Sequence, residues 1–271
     1  AGVMTATRPL VASTRDADAG DALTVALERR GFDVWHVPAI VIRPVSEPGA
    51  LDTALEHPEF DWIVFTSPRA VDLVCSRRSW VAAWPRLRER ARFAAVGPGT
   101  AARLAARDIP VTAVADGAGD SLPDAIRAHA PSLEGLQVLW PHGNRARTGW
   151  RDVLEASGAR VASPVAYLTE PAPVDAVAPL VEAVRGGRVT AVTFLSPSSA
   201  DGVARACPDG TLRTLAGATV VAAIGETTAV RLAGLGAPPD VIAPEPTPDA
   251  LAAALAAFVS DRVRSVQGPR S

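Results

Sequence analysis

The 271-residue chain contains no lysine; all 27 of its basic residues are arginine. That excludes a Schiff-base lysine, a pyridoxal-phosphate anchor and the lysine of a phosphate-binding Walker loop. Cysteine is scarce too. Cys75 and Cys207 stand alone, with neither a CxxC nor a disulfide framework, and a reducing cytoplasm suits such usage. No apolar run reaches the roughly 18 residues that cross a bilayer. The N-terminus has no basic stretch leading into an apolar core, so neither a membrane span nor a signal peptide is expected. A net charge of −2 gives no electrostatic case for binding nucleic acid or a membrane surface. No paired-carboxylate motif, nucleophilic triad or metal-ligand cluster stands out in the sequence. What is present is 48% hydrophobic and 21% charged residues, in a chain long enough for two packed domains of roughly 100–150 residues.

Short apolar runs alternate with helical stretches along the chain. Strands are predicted at "PLVASTR" (9–15), "FDVWHVPAI" (32–40), "WIVF" (62–65), "FAAVG" (93–97), "VTAVA" (111–115), "LQVLWPHG" (136–143), "AVTFLSP" (191–197), "VVAAIG" (220–225) and "DVIAPE" (240–245). Helices follow most of them, as in "DALTVALERRG" (21–31), which Gly31 stops, and a closing helix over 248–262. Near-continuous apolar strands separated by helices imply parallel sheets covered on both faces.

One phrase occurs twice. AA-(V/I)-G-x-x-T-A-x-R-L-A is written around Val96 and again around Ile224, and "VFTSPRAV" (64–71) matches "TFLSPSSA" (193–200) at nearly the same offset. The chain therefore carries two copies of one α/β half. Strand counting lends the first two strands to the C-terminal copy. It predicts one discontinuous domain, 1–40 plus 171–271, and a second over 45–162, joined by extended Pro-flanked linkers at 39–45 and 163–171 that pair as two strands. In open parallel sheets ligands bind beyond the carboxyl ends of the strands, where both copies of the phrase fall. Gly97 and Gly225 permit a tight strand exit, and Thr100 and Thr228 are expected to cap free N–H groups at helix starts. Helix N-termini also attract anions. If the two rims face each other, two copies make two walls of one site. Taken singly, each Gly-x-x-Thr is no more than a strand exit and a cap. Gly97-Pro98-Gly99 is not a GxGxxG, which argues against a dinucleotide.

The ordered set "VFTSPRAV", "AAVGPGTAARLAA", "LEGLQVLWPHGNRAR", "VAYLT", "VTFLSPSSA", "AAIGETTAVRLAGLG" and "EPTPDALAAAL" resembles the uroporphyrinogen-III synthase family over about residues 8–258. The resemblance implies an α/β protein of two flavodoxin-like parallel-sheet domains joined by a two-stranded linker. It implies cyclisation of the linear tetrapyrrole hydroxymethylbilane, with loss of water and inversion of ring D, without metal or cofactor. Tyr167, the chain's only tyrosine, matches the family's functional tyrosine, and Thr227 and Thr228 match its cleft threonines, with Thr100 as their counterpart. Ser67, Ser196 and Ser198, at the two Ser-Pro turns, are candidate donors to the substrate's carboxylates. Arg15 and Arg145 are candidate carboxylate partners, since a guanidinium pairs bidentately. Arg103 and Arg231 are expected to face solvent. His142 stands where many relatives have arginine, and Asp108 where a helix-ending glycine is expected. A cytoplasmic monomer acting on a small-molecule tetrapyrrole is the leading reading. A non-catalytic tetrapyrrole- or anion-sensing domain of the same fold, continued beyond "RVRSVQGPRS" into a regulatory protein, is an alternative. A generic anion- or sugar-binding protein is a third.

Overall fold

The computed structural model describes residues 8–15, 21–57, 59–116 and 119–267; the last residues of "RVRSVQGPRS" lie outside this range. The chain divides into two compact units. One runs to Val41 and resumes at Glu170, and the other is Ile42–Thr169. They are called here the terminal and the central unit.

Each unit holds a five-stranded parallel sheet. In the terminal unit the order is Asp33–His36, Leu10–Ser13, Ala191–Phe194, Val220–Ala223, Val241–Ile242. In the central unit it is Arg160–Ala162, Gln137–Leu139, Trp62–Phe65, Arg92–Val96, Ala113–Ala115. The second order equals the first once the chain is entered at the third strand. Both sheets thus place their Ser-Pro strand at the centre and the Gly-x-x-Thr strand beside it. The repeated phrases occupy equivalent sheet positions although the chain reaches them by different routes.

Central position explains composition. Trp62–Phe65 and Ala191–Phe194 are buried at every residue, because helices cover both faces. Alternate residues serve opposite cores: Ile63 and Phe65 join Phe93, Val71 and Leu87, while Trp62 and Val64 join Leu122, Trp140 and Leu154. A fully buried side chain of this size contributes about 1.5–3 kcal/mol.

The repeat extends to surface ion pairs. Arg103 lies 3.7 Å from Asp72, and Arg231 lies 2.6 Å from Asp201, each joining a Gly-x-x-Thr helix to the neighbouring Ser-Pro helix. Both arginines are about half exposed, so these contacts add little stability. Asp108 occupies the left-handed region, φ 56°, where the sequence pattern calls for glycine.

Helix Arg78–Arg90 was not evident from the sequence pattern. The turn leading into it buries Arg77, which pairs with Asp52 of helix Ala50–Glu56. Arg77 Nε donates to Asp52 Oδ1 at 3.1 Å and Nη2 to Oδ2 at 2.5 Å, while Nη1 donates to the Val45 carbonyl at 2.9 Å. This fastens the chain where it leaves strand Ile40–Pro44.

Strands Ile40–Pro44 and Val165–Pro171 pair side by side, as the linker segments were expected to. A third short strand, His142–Gly143, adds to the far edge of Val165–Pro171. That addition carries the candidate site. Among the described residues no helix is long and apolar enough to cross a membrane.

Candidate functional site

In the terminal unit the strand order reverses between Leu10–Ser13 and Ala191–Phe194, so the crevice favoured for ligands lies beyond Ser13 and Phe194. Arg15 is there, partly exposed, with Nη1 3.5 Å from Asp21, the residue that caps helix Ala22–Arg29. Ser196 and Ser198 are also partly exposed there, Thr227 is exposed, and Thr228 is buried.

In the central unit the reversal lies between Gln137–Leu139 and Trp62–Phe65. A cleft of about 250 Å3 opens at that point. Thr66 and Ser67 line it from one strand end; Gly143, Arg145, Ala146 and Arg147 line it from the other. Tyr167 and Thr169 enter from the linker strand, and Val96, Gly119 and Trp150 complete the wall. Among the described residues, two arginines and four hydroxyl side chains line the cleft, and no carboxylate does. The lining is therefore positive in a chain whose net charge is −2.

Tyr167 is held from several sides. Its hydroxyl lies 3.1 Å from Ser67 Oγ. Its ring lies directly over Gly143: a Cβ added there would meet Tyr167 Cε2 and Cζ at 2.6 Å. The Asn144 N–H donates to the Tyr167 carbonyl at 3.2 Å, and Asn144 Oδ1 accepts from the Thr169 N–H at 2.8 Å. Asn144 thus grips the linker strand on both sides of Leu168. The pairing slips between Val165 and Tyr167, which brings Tyr167 opposite Gly143.

The hydroxyl pair leaves one proton over. Ser67 Oγ accepts from the Ala70 N–H at 3.1 Å, capping helix Pro68–Cys75. Between Ser67 and Tyr167 only one O–H is used in their mutual bond, whichever donates. The other O–H is available to the cleft.

The structure assigns the caps differently from the sequence reading. Thr100 and Thr228 do not cap their helices. They are the third residues of helices whose N-cap positions, Gly97 and Gly225, have no side-chain cap, and both are buried. The capping hydroxyls are those of Ser67 and of Ser196, which accepts from the Ser199 N–H at 3.2 Å. An N-cap needs a side-chain oxygen just before the first helical turn, and Ser-Pro supplies it where Gly-x-x-Thr cannot. His142 is outside the cleft wall. It stacks on Trp140, centroids 4.2 Å apart, with Nδ1 2.8 Å from the Gly143 carbonyl and Nε2 3.2 Å from that of Ser163. Burial pushes the Cys75 thiol up to about 12 and raises that of Cys207, so neither supplies a thiolate near neutral pH.

Of the candidate residues, Tyr167, Ser67 and Arg145 meet in one cleft. Thr100 is buried in the same unit, and Arg15, Ser196, Ser198, Thr227 and Thr228 belong to the terminal unit. Sequence reasoning missed Gly143, Asn144, Thr66, Arg147 and Thr169. Only the run from Trp140 to Arg147, rich in turn-forming and polar residues, hinted at them.

The family model for "Uroporphyrinogen-III synthase HemD" matches residues 21–253. The chain belongs to the uroporphyrinogen-III synthase family. This is a lyase family of haem biosynthesis whose substrate is a tetrapyrrole. Among solved structures, the chain is similar to a mutant uroporphyrinogen III synthase of Thermus thermophilus, at 20% identity and a TM-score of 0.62 over 96% of this chain and 99% of that one. It is also similar to the synthetase of Helicobacter pylori, at 15% identity and a TM-score of 0.58 over the same shares. At such identities the likeness is one of fold: two parallel-sheet α/β domains. A search of curated proteins gives no match. Within uroporphyrinogen-III synthases, the linker tyrosine here sits over a glycine and beside a Ser-Pro turn.

Proposed function

We propose that this chain cyclises hydroxymethylbilane with loss of water and inversion of ring D, giving uroporphyrinogen III, and that it needs no cofactor. The observation that carries the reading is the hydroxyl of Tyr167, fixed at the strand-order reversal of the central unit in a cleft flanked by Arg145 and Arg147. A phenol O–H can serve as a hydrogen-bond and proton donor. Tyr167 donates its proton to the departing hydroxyl. The C–O bond breaks, water leaves, and the remaining cation delocalises over the pyrrole. The substituted carbon of ring D attacks that electrophile, giving a spiro intermediate that opens and recloses with ring D inverted. The proton released on rearomatisation restores the phenol. Most of the acceleration is orientation of a reactive substrate, with the cleft's dipoles stabilising developing charge. In the central unit, carboxylates beyond those met by Arg145 and Arg147 fall to Ser67 and the Thr100 turn; the terminal unit, taken by itself, offers Arg15, Ser196, Ser198, Thr227 and the Thr228 turn as carboxylate partners. With Thr100 and Thr228 buried, those two turns present backbone rather than hydroxyl to a ligand.

Protein coupled to a source of hydroxymethylbilane is expected to yield mainly the type III isomer. Type I product at the uncatalysed rate would reject the proposal and favour a sensing role. Gly143→Ala supplies a second check. The added methyl has no room beneath the Tyr167 ring, so the ring must move. Activity is expected to fall to near the level of a chain lacking the phenol, with the fold retained. Full activity, or a crystal structure with the ring unmoved, would show that the close fit of glycine and ring is immaterial.

A further inference from the structure

Tyr167 reaches the cleft through an irregular strand pairing. Strand His142–Gly143 is two residues long. Val165 lies opposite His142 and Tyr167 opposite Gly143, so the linker strand carries one extra residue, Ala166, over that step. A one-residue slip in register turns the side chains that follow to the other face, and a pairing this short resists such a slip weakly. Burial does not choose the register either. Ala166 and Tyr167 are neighbours in sequence, yet both belong to the apolar cluster of Phe65 and Leu139. In the regular register Ala166 would lie opposite Gly143, and the phenol would leave Ser67 Oγ, now 3.1 Å away.

Asn144 supplies the missing constraint. In a continuing parallel ladder the residue opposite Leu168 donates to the Tyr167 carbonyl and accepts from the Thr169 N–H. The Asn144 N–H makes the first of these bonds, at 3.2 Å. The chain then turns, with the Ala146 N–H donating to the Gly143 carbonyl at 3.0 Å, and the strand ends. The second bond, at 2.8 Å, goes to Asn144 Oδ1 in place of a main-chain carbonyl. The side chain thereby prolongs the ladder one step past the extra residue. We propose that Asn144 is a positioning residue whose side-chain carbonyl locks the register that aims the Tyr167 hydroxyl into the cleft. Asn144 is exposed and lies outside the cleft wall, so it acts through Tyr167. Its effect on turnover rests on the proton-donor role proposed for Tyr167; its effect on the place of the ring does not.

The test compares the whole chain with Asn144→Ala, which loses the acceptor, and Asn144→Asp, which keeps one for the Thr169 N–H. In Asn144→Ala, turnover to the type III isomer at saturating hydroxymethylbilane is expected to fall about tenfold or more, as for a displaced reacting group. Asn144→Asp should restore it. In a Tyr167→Phe background Asn144→Ala should cost little further, because a residue that acts only through the phenol has nothing left to aim. Tyr167 is the chain's only tyrosine, so its ring is a single reporter in tyrosine- and glycine-labelled protein. The nuclear Overhauser contact between that ring and the Gly143 α-protons should be present in the wild type and in Asn144→Asp, and weak or lost in Asn144→Ala. Wild-type turnover in Asn144→Ala would overturn the proposal. So would an equal loss in Asn144→Asp, a full additional loss in the Tyr167→Phe background, or an unchanged ring contact in Asn144→Ala. The two readings fail separately. Type I product alone from the wild type removes the enzyme, and the ring contact still decides whether Asn144 holds the register. Type III product with turnover and ring contact both unchanged in Asn144→Ala removes the positioning role and leaves the enzyme.

Discussion

Tyr167→Phe is expected to slow formation of the type III isomer by about 10²-fold or more, the usual contribution of a positioned proton donor. Thermal stability should change little. The hydroxyl makes one described hydrogen bond, to Ser67, and the loss of such a bond costs about 1 kcal/mol. Ser67 keeps its bond from the Ala70 N–H, so helix Pro68–Cys75 stays capped. The ring remains over Gly143 and in contact with the core around Phe65 and Leu139. A proton donor and a packing aromatic therefore make different forecasts: the first is lost in phenylalanine, the second is preserved. Rates from the coupled isomer assay, set beside thermal melts of the same preparations, separate them. Equal turnover in the variant removes Tyr167 from the chemistry.

The largest effect on stability is expected at Arg77. Its guanidinium and the Asp52 carboxylate are both buried, and Ser79 Oγ and the Gly49 N–H also donate to Asp52, at 2.5 and 2.7 Å. The hydrogen bonds from Arg77 are the main cause holding the Asp52 carboxyl down at about 2, from an ordinary 3.8. Arg77→Met leaves a buried carboxylate without its cation, and stability should fall by about 3–5 kcal/mol. The pH dependence has a definite sign. A carboxyl with a lowered folded-state pKa stabilises the fold above its unfolded value, near 4, and that contribution disappears as pH falls through about 2. The gap between wild type and Arg77→Met should therefore be widest above pH 4 and should narrow in acid. Urea unfolding at a series of pH values measures it. A gap that does not vary with pH would place the Arg77 contribution in packing instead of charge.

How much of this was legible beforehand differs from residue to residue. The α/β class followed from runs such as "WIVF", because a strand covered on both faces must be apolar at every position. The duplicated Ser-Pro and Gly-x-x-Thr phrases announced two similar sheets, because each phrase encodes a strand exit and a helix start within a dozen residues. Tyr167, Ser67 and Arg145 could be nominated from sequence through motif and resemblance, although nothing in the sequence placed them together. The capping roles were misread. Thr100 and Thr228 looked like caps because they are polar residues near a helix start, but capping depends on a single-residue offset that spacing alone does not resolve.

The sequence by itself determined the local elements, their repetition and the chemistries excluded by the absence of lysine. Burial periodicity, proline and glycine act over a few residues and leave their mark in order along the chain. Only the tertiary structure decided that Ser67 meets Tyr167 across a hundred positions, that Gly143 lies beneath that ring, and that Arg77 closes on Asp52. Those contacts depend on which strand lies beside which and on a one-residue slip in a short edge pairing. Neither is set by the residues of any single segment, because the energy that fixes them comes from surfaces brought together after the segments have formed.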